Sequence, residues 1–150
     1  MKRYLVVLGL IILSLLVCGC SAGSDVGKSH TIYNITVTMT NANYTAAGGN
    51  AVAVESVGLY IQNNKNQTIT LTTNNFALYD SAWLDHLSAT ESPAYPDFDN
   101  KNPIVLEAGE SGNYTLHMNH AAGGQKMFCF IPDGIFGHES VAWDLNVYGD

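Results

Sequence analysis

Residues 57–80, VGLYIQNNKNQTITLTTNNFALYD, decide the fold. Val57, Leu59 and Ile61 alternate with Gly58, Tyr60 and Gln62, the period of a strand with one buried face. The polar run Asn63-Asn64-Lys65-Asn66-Gln67 then turns the chain. Ile69 and Leu71 alternate with Thr68, Thr70 and Thr72. After Asn74-Asn75, Phe76 and Leu78 alternate again before Asp80. Strand, Asn-rich turn, Thr-rich strand, short break, strand: this is the pattern of a small antiparallel β-sandwich. No catalytic constellation lies within it.

The same pattern extends outward. Upstream, Tyr33, Ile35, Val37 and Met39 alternate with Asn34, Thr36, Thr38 and Thr40, which predicts a first strand; Asn41 to Asn50 reads as a Gly-ended loop. Downstream, Ser81 to Asn102 is a long irregular stretch in which Pro93 and Pro96 forbid a continuous helix. Long loops of this kind are often functional. Ile104-Val105-Leu106 opens a further strand, Ala108 to Gly112 turns it, and Tyr114, Leu116 and Met118 alternate on the return. Lys126 to Ile131 is apolar, and Pro132-Asp133-Gly134 carries turn chemistry, with Pro fixing φ and Gly accepting a positive one. Val141, Trp143, Leu145 and Val147 alternate to the end. The expectation is an all-β, antiparallel sandwich of seven to eight strands.

The amino end is of a different kind. Met1-Lys2-Arg3 is basic, and Tyr4 to Val17 carries no charge but is too short to span a bilayer comfortably, so it reads as a signal-peptide core. Val17, Gly19 and Cys20 resemble the lipobox of prokaryotic lipoproteins, in which the Cys becomes the lipidated first residue of the mature chain. The resemblance implies a leader over 1–19, lipid attachment at Cys20 and a membrane partner through that lipid. An uncleaved membrane helix and ordinary secretion after Ala22 are the competing readings. Residues 20–30 then read as a flexible tether and 31–150 as one domain. The chain has three cysteines; with Cys18 removed and Cys20 lipidated, Cys129 stands alone and no disulfide is available.

Composition excludes one class of partner. The chain has 6 Lys+Arg against 13 Asp+Glu and a net charge of -7. Lys2 and Arg3 lie in the leader, so the remaining domain contains no Arg at all. Such a surface has no guanidinium forks for phosphate and repels polyanions, which excludes nucleic acid.

Tyr60 to Asn64, Phe76 to Asp80, Leu106 to Gly112 and the closing Trp143 strand together resemble the uncharacterised immunoglobulin-like domains of prokaryotic lipoproteins, within the extracellular antigen-type β-sandwiches. The resemblance covers about Tyr33 to Val147 and implies an immunoglobulin-like fold and a surface address on the extracytoplasmic side. It brings no catalytic residue with it. Ser81-Ala82-Trp83 departs from the glycine-and-aromatic element usual at that point.

The candidate chemistry is thin. His117, His120 and Met127, with Cys129 and His138, are the soft ligands that copper prefers, but the close Cys–His–Met spacing of a blue-copper site is missing. Met118 and Cys129 read more simply as core. Asp85, Glu91, Asp97, Asp99 and Asn100 could offer oxygens to calcium, without EF-hand spacing. Four sequons begin at Asn34, Asn43, Asn66 and Asn113; Asn43 and Asn66 fall in expected turns and are the favoured glycosylation acceptors. No hydrolase elbow, zinc-protease motif or phosphate loop is present. Two functions follow as expectations. One is a non-enzymatic, lipid-anchored module that meets a protein or surface polymer through Trp83, Tyr95 and Phe98; the other is a surface protein that handles copper.

Overall fold

The computed structural model describes residues 25–48, 51–80, 97–98, 103–121, 124–135 and 137–147. Among these, the chain forms ten strands and one short 3-10 turn. They are β1 (Ser29–Ile32), β2 (Ile35–Gly48), β3 (Ala51–Asn63), β4 (Ile69–Leu71), β5 (Phe76–Asp80), β6 (Asp97–Phe98), β7 (Ile104–Leu106), β8 (Ser111–Ala121), β9 (Gly124–Phe130) and β10 (Val141–Val147). All the pairings are antiparallel. The sheets are β1-β2-β3-β8-β6, β10-β9-β5 and the pair β4-β7. The all-β sandwich expected from the alternation is the observed fold.

One core joins them. The five-stranded sheet contributes Val37, Met39, Leu59, Ile61 and Leu116, and the three-stranded sheet contributes Phe76, Phe128, Phe130, Trp143 and Leu145, all buried. Phe76 lies 5.5 Å from Phe130 and 6.1 Å from Phe128, and Phe128 lies 5.9 Å from Trp143, centroid to centroid. These separations are those of favourable offset or tilted aromatic pairs. Met118 is buried beside Leu116, and Cys129 is buried on β9, as their sequence neighbours implied.

Residues 57–80 form the expected elements, but the strands separate. β3 stays in the large sheet, β4 pairs with β7, and β5 pairs with β9. Asn63 is not a solvated turn residue. It is fully buried, and its side chain donates to the carbonyls of Gln67, Leu106 and Glu107 while accepting from Lys65 N–H. Asn75 does the same elsewhere, accepting from Thr72 N–H and donating to Ile131 and Pro132 carbonyls. Buried amides are tolerated only when satisfied in this way.

Three expectations about the first sixty residues are corrected. Tyr33 and Asn34 have φ of 48° and 59°, so they form a two-residue hairpin turn between β1 and β2 rather than opening a strand; primed turns need positive φ at both central positions. The segment expected as tether to residue 30 is bound to the sandwich from Asp25 onward. Asp25 N–H donates to Asp144 O, Gly27 N–H to Met39 O, and Trp143 Nε1 to Lys28 O at 2.8 Å. Residues 41–48 are strand, not loop. Asn43 to Ala46 are all exposed, so no burial alternation marks them, and backbone pairing with β3 holds them instead.

Candidate functional site

The outer face of the five-stranded sheet is the most regular surface among the described residues. Ser29 and Thr31 on β1 face Thr38 and Thr36 on β2, and each pair shares a hydroxyl–hydroxyl hydrogen bond, at 2.7 and 2.8 Å. The rows continue across the sheet by register. Thr38 stands opposite Tyr60, and Tyr60 opposite Asn113; Thr36 stands opposite Gln62, and Gln62 opposite Ser111. Because Leu59 and Ile61 are buried inward, the pleat sends Tyr60 and Gln62 outward.

Gly58 makes room on this face for the side chains of Thr40 and Asn41. A register shift between Met39 and Asn41 places both Thr40 and Asn41 against it. A Cβ at position 58 would run into Asn41 Oδ1 and come within 2.8 Å of Thr40 Oγ1. At the far side, His117 is exposed and stands opposite Ser56 on β3 and Asp97 on β6. Ser56 accepts a hydrogen bond from Asn43 Nδ2 at 2.9 Å.

A second surface is the rim of turns at one end. Asp133 Oδ1 accepts from Ile135 N–H, and Asp133 Oδ2 lies 2.6 Å from His138 Nδ1. The Ile135 amide and then His138 hold the Asp133 carboxyl below its ordinary range. Tyr33 bonds to Glu139, whose carboxylate pushes the phenol upward. Asn64 N–H donates to Asn34 O, so the hairpin turn, the 63–67 turn and the 131–140 segment meet here.

The residues expected to carry function are placed as follows. Cys20, Trp83 and Tyr95 lie outside the described residues. Phe98 belongs to β6, in register with Leu116, so the long irregular stretch contains a sheet edge. Asn66 is exposed in its turn, as expected. Asn43 is corrected: it lies in β2, with its amide engaged by Ser56. Asn34, which begins another sequon, is exposed in the hairpin turn, a position that the strand reading concealed.

The residues of the copper expectation fall on two sheets. His117 stands opposite Ser56 on the outer face, whereas His120 stands opposite Val54, a core residue, across the bulge at Glu55. Met127 is on β9 in the other sheet. No group of three or more His, Cys, Asp or Glu side chains is arranged to hold a metal among the described residues. No helix among them is long and apolar enough to cross a membrane. The polar face escaped the sequence reading because its signal, Thr, Ser and Asn at alternate positions, is also that of any solvated strand.

No family model matches the chain, and no curated protein matches it. Two solved structures from Bacillus subtilis share its fold. One, from strain 168, is described as a "putative lipoprotein (ycdA)": TM-score 0.56, 13% identity, with 79% of this chain covered. The match spans 38% of that longer chain. The other is the yjhA protein, TM-score 0.53 and 10% identity, covering 81% of this chain and 97% of that one. At these identities the likeness establishes that the chain has the sandwich fold these two Bacillus proteins share, and nothing finer.

Proposed function

We propose that this protein is a lipid-anchored, extracytoplasmic sandwich that binds a partner and catalyses no reaction. The observation that carries the binding half is the outer sheet face, a continuous row-by-row surface of hydroxyls and amides around Tyr60. The anchoring half is supported by the leader and Val17-Gly19-Cys20, and by the description of one fold neighbour as a lipoprotein. Attachment at Cys20 would leave only residues 20–24 as a free tether, since Asp25 is bound to β10. At about 3.5 Å per residue that is at most roughly 18 Å, which keeps the domain close to the membrane. Trp83, Tyr95 and Phe98 belong to the same proposal as an aromatic contribution from the long loop. No observation favours the copper reading.

The test is an intact mass spectrum of the protein extracted from membranes, beside a Cys20→Ala variant. A mass of Cys20–Asp150 plus lipid, with release of the variant from the membrane, is expected. A mass equal to the uncut chain overturns the anchor.

A further inference from the structure

We propose that the outer face of the five-stranded sheet is a binding site for a neutral, hydroxyl-rich polysaccharide, lying across β1, β2, β3 and β8 with Tyr60 at its centre. This deepens the binding-module reading and is independent of the anchor.

The first argument is charge. The rows from Ser29–Thr38 to Tyr60–Asn113 and from Thr31–Thr36 to Gln62–Ser111 contain no charged side chain. Asp97 appears only at the β6 edge, opposite His117. Glu55 is exposed on β3 at the bulge, and Glu107, Glu110, Asp133 and Glu139 belong to turns. A cationic polymer therefore finds no carboxylates on these rows, and a chain at -7 repels an anionic one. The complementary polymer is uncharged.

The second argument is hydrogen-bonding capacity. The hydroxyls of Ser29, Thr38 and Thr31 each use one bond within their pairs and keep acceptor capacity for a ligand, whereas Thr36 Oγ1 also accepts from Asn64 Nδ2 at 2.8 Å. Gln62 and Asn113 add amides, which offer a donor and an acceptor side by side, matched to adjacent ring hydroxyls. Tyr60, half-buried between Thr38 and Asn113, supplies the apolar platform with a polar tip on which the C–H face of a sugar ring packs.

The third is shape. Four strands at about 4.8 Å span roughly 14 Å and the two rows lie about 6.8 Å apart, with the side chains of Asn41 and Thr40 covering Gly58 beside the Tyr60 row. That is a floor for an extended chain rather than a pocket for a single molecule.

The test is affinity electrophoresis of the full-length protein, detergent-extracted, through native gels containing mannan, dextran or hydroxyethyl cellulose, with alginate as an anionic comparison. At least one neutral polymer is expected to retard it. Tyr60→Ala should weaken that retardation tenfold or more, and Asn113→Ala about threefold, while Val105→Ser, on the exposed middle of β7, leaves it unchanged. Thermal melts check folding, and Gln62→Ala with Asn113→Ala decides the matter should Tyr60→Ala not fold. Retardation by none of the neutral polymers, by alginate alone, or undiminished in folded Tyr60→Ala overturns the proposal. The Cys20→Ala form should be retarded equally, so loss of the anchor and loss of the glycan site are read separately.

Discussion

The carboxamide of Asn63 donates to the main-chain oxygen of Leu106 at 3.1 Å, across 43 residues of sequence. The same nitrogen reaches Gln67 O and Glu107 O, each at 2.8 Å. Asn63 N–H also donates to Glu110 O, and its carbonyl accepts from Gly109 N–H. Two amide protons are thus shared among three carbonyls, and the turn after β3 is bound to the turn between β7 and β8. Gly109, at φ 77°, takes the left-handed position this second turn requires.

Removing that amide should be the most damaging polar substitution in the fold. Asn63→Leu leaves several buried carbonyls and the Lys65 amide without partners, and is expected to cost about 3 kcal/mol. Urea unfolding of the two proteins checks it through the midpoint. A loss below about 1 kcal/mol would mean that water replaces the side chain.

Trp143 Nε1 donates to Lys28 O, and the indole receives the His30 ring edge-on at 4.9 Å. Trp143→Phe keeps most of the apolar volume but drops the donor, so about 1–2 kcal/mol of stability should be lost. Amide exchange at Gly27 and Met39, which take part in the same closure, should speed up more than exchange at Phe128. Uniform acceleration would show that the indole acts only through the core.

The β1–β2 turn holds two non-glycine residues at positive φ, where a side chain costs about 1–2 kcal/mol unless it is Asn or Asp. Replacing Tyr33-Asn34 with Asn-Gly, the preferred pair for such a turn, should raise stability by about 1 kcal/mol despite loss of the exposed Tyr33–Glu139 bond. Differential scanning calorimetry reads this as a higher Tm. A fall would place that bond above the backbone strain.

Asp25 accepts a hydrogen bond from Asp144 N–H at 3.1 Å and lies 3.3 Å from Lys28 Nζ. The Asp144 amide first, and Lys28 second among the favourable contacts, hold its carboxyl below 3.8. A depressed carboxylate stabilises the fold above its unfolded pKa and loses that contribution as pH falls through the folded value. Acidification below about pH 4 should therefore destabilise the natural protein more than Asp25→Asn. Parallel acid limbs would remove Asp25 from the linkage.

Burial pushes the Cys129 thiol up from 9.0 to about 12. A raised pKa means that the stabilising difference is full below 9.0 and is lost as pH rises toward about 12, since only the unfolded chain ionises there. The folded protein should resist alkylation by iodoacetamide at pH 8.5, reacting on the timescale of global opening, and Cys129→Ala should flatten the alkaline limb. Rapid labelling of the native state would refute this.

Most of the strands were legible in the sequence because each buries one face, and burial with period two writes itself into side-chain choice. Residues 59–62, 116–118 and 141–145 are of this kind. The arm formed by residues 41–48 was not legible, since Asn43 to Ala46 are exposed on both faces and backbone pairing with β3 holds them. The β1–β2 turn was hidden because Tyr and Asn at positive φ leave no glycine signature. Of the candidate sites, the exposed Asn66 and the inward Met118 could be read from sequence.

By itself the sequence determined an acidic chain with no Arg after residue 3 and an all-β architecture, because charge and alternation are local properties of the chain. Tertiary structure alone decided where polar groups go. It drew Asn63 and Asn75 inside to bind turns far away in sequence, and sent β4 and β5 to different partners. It also set Ser29, Thr38, Tyr60 and Asn113 in one row. Hydrogen-bond satisfaction and strand register are relations between distant residues, and no window of sequence contains both ends of them.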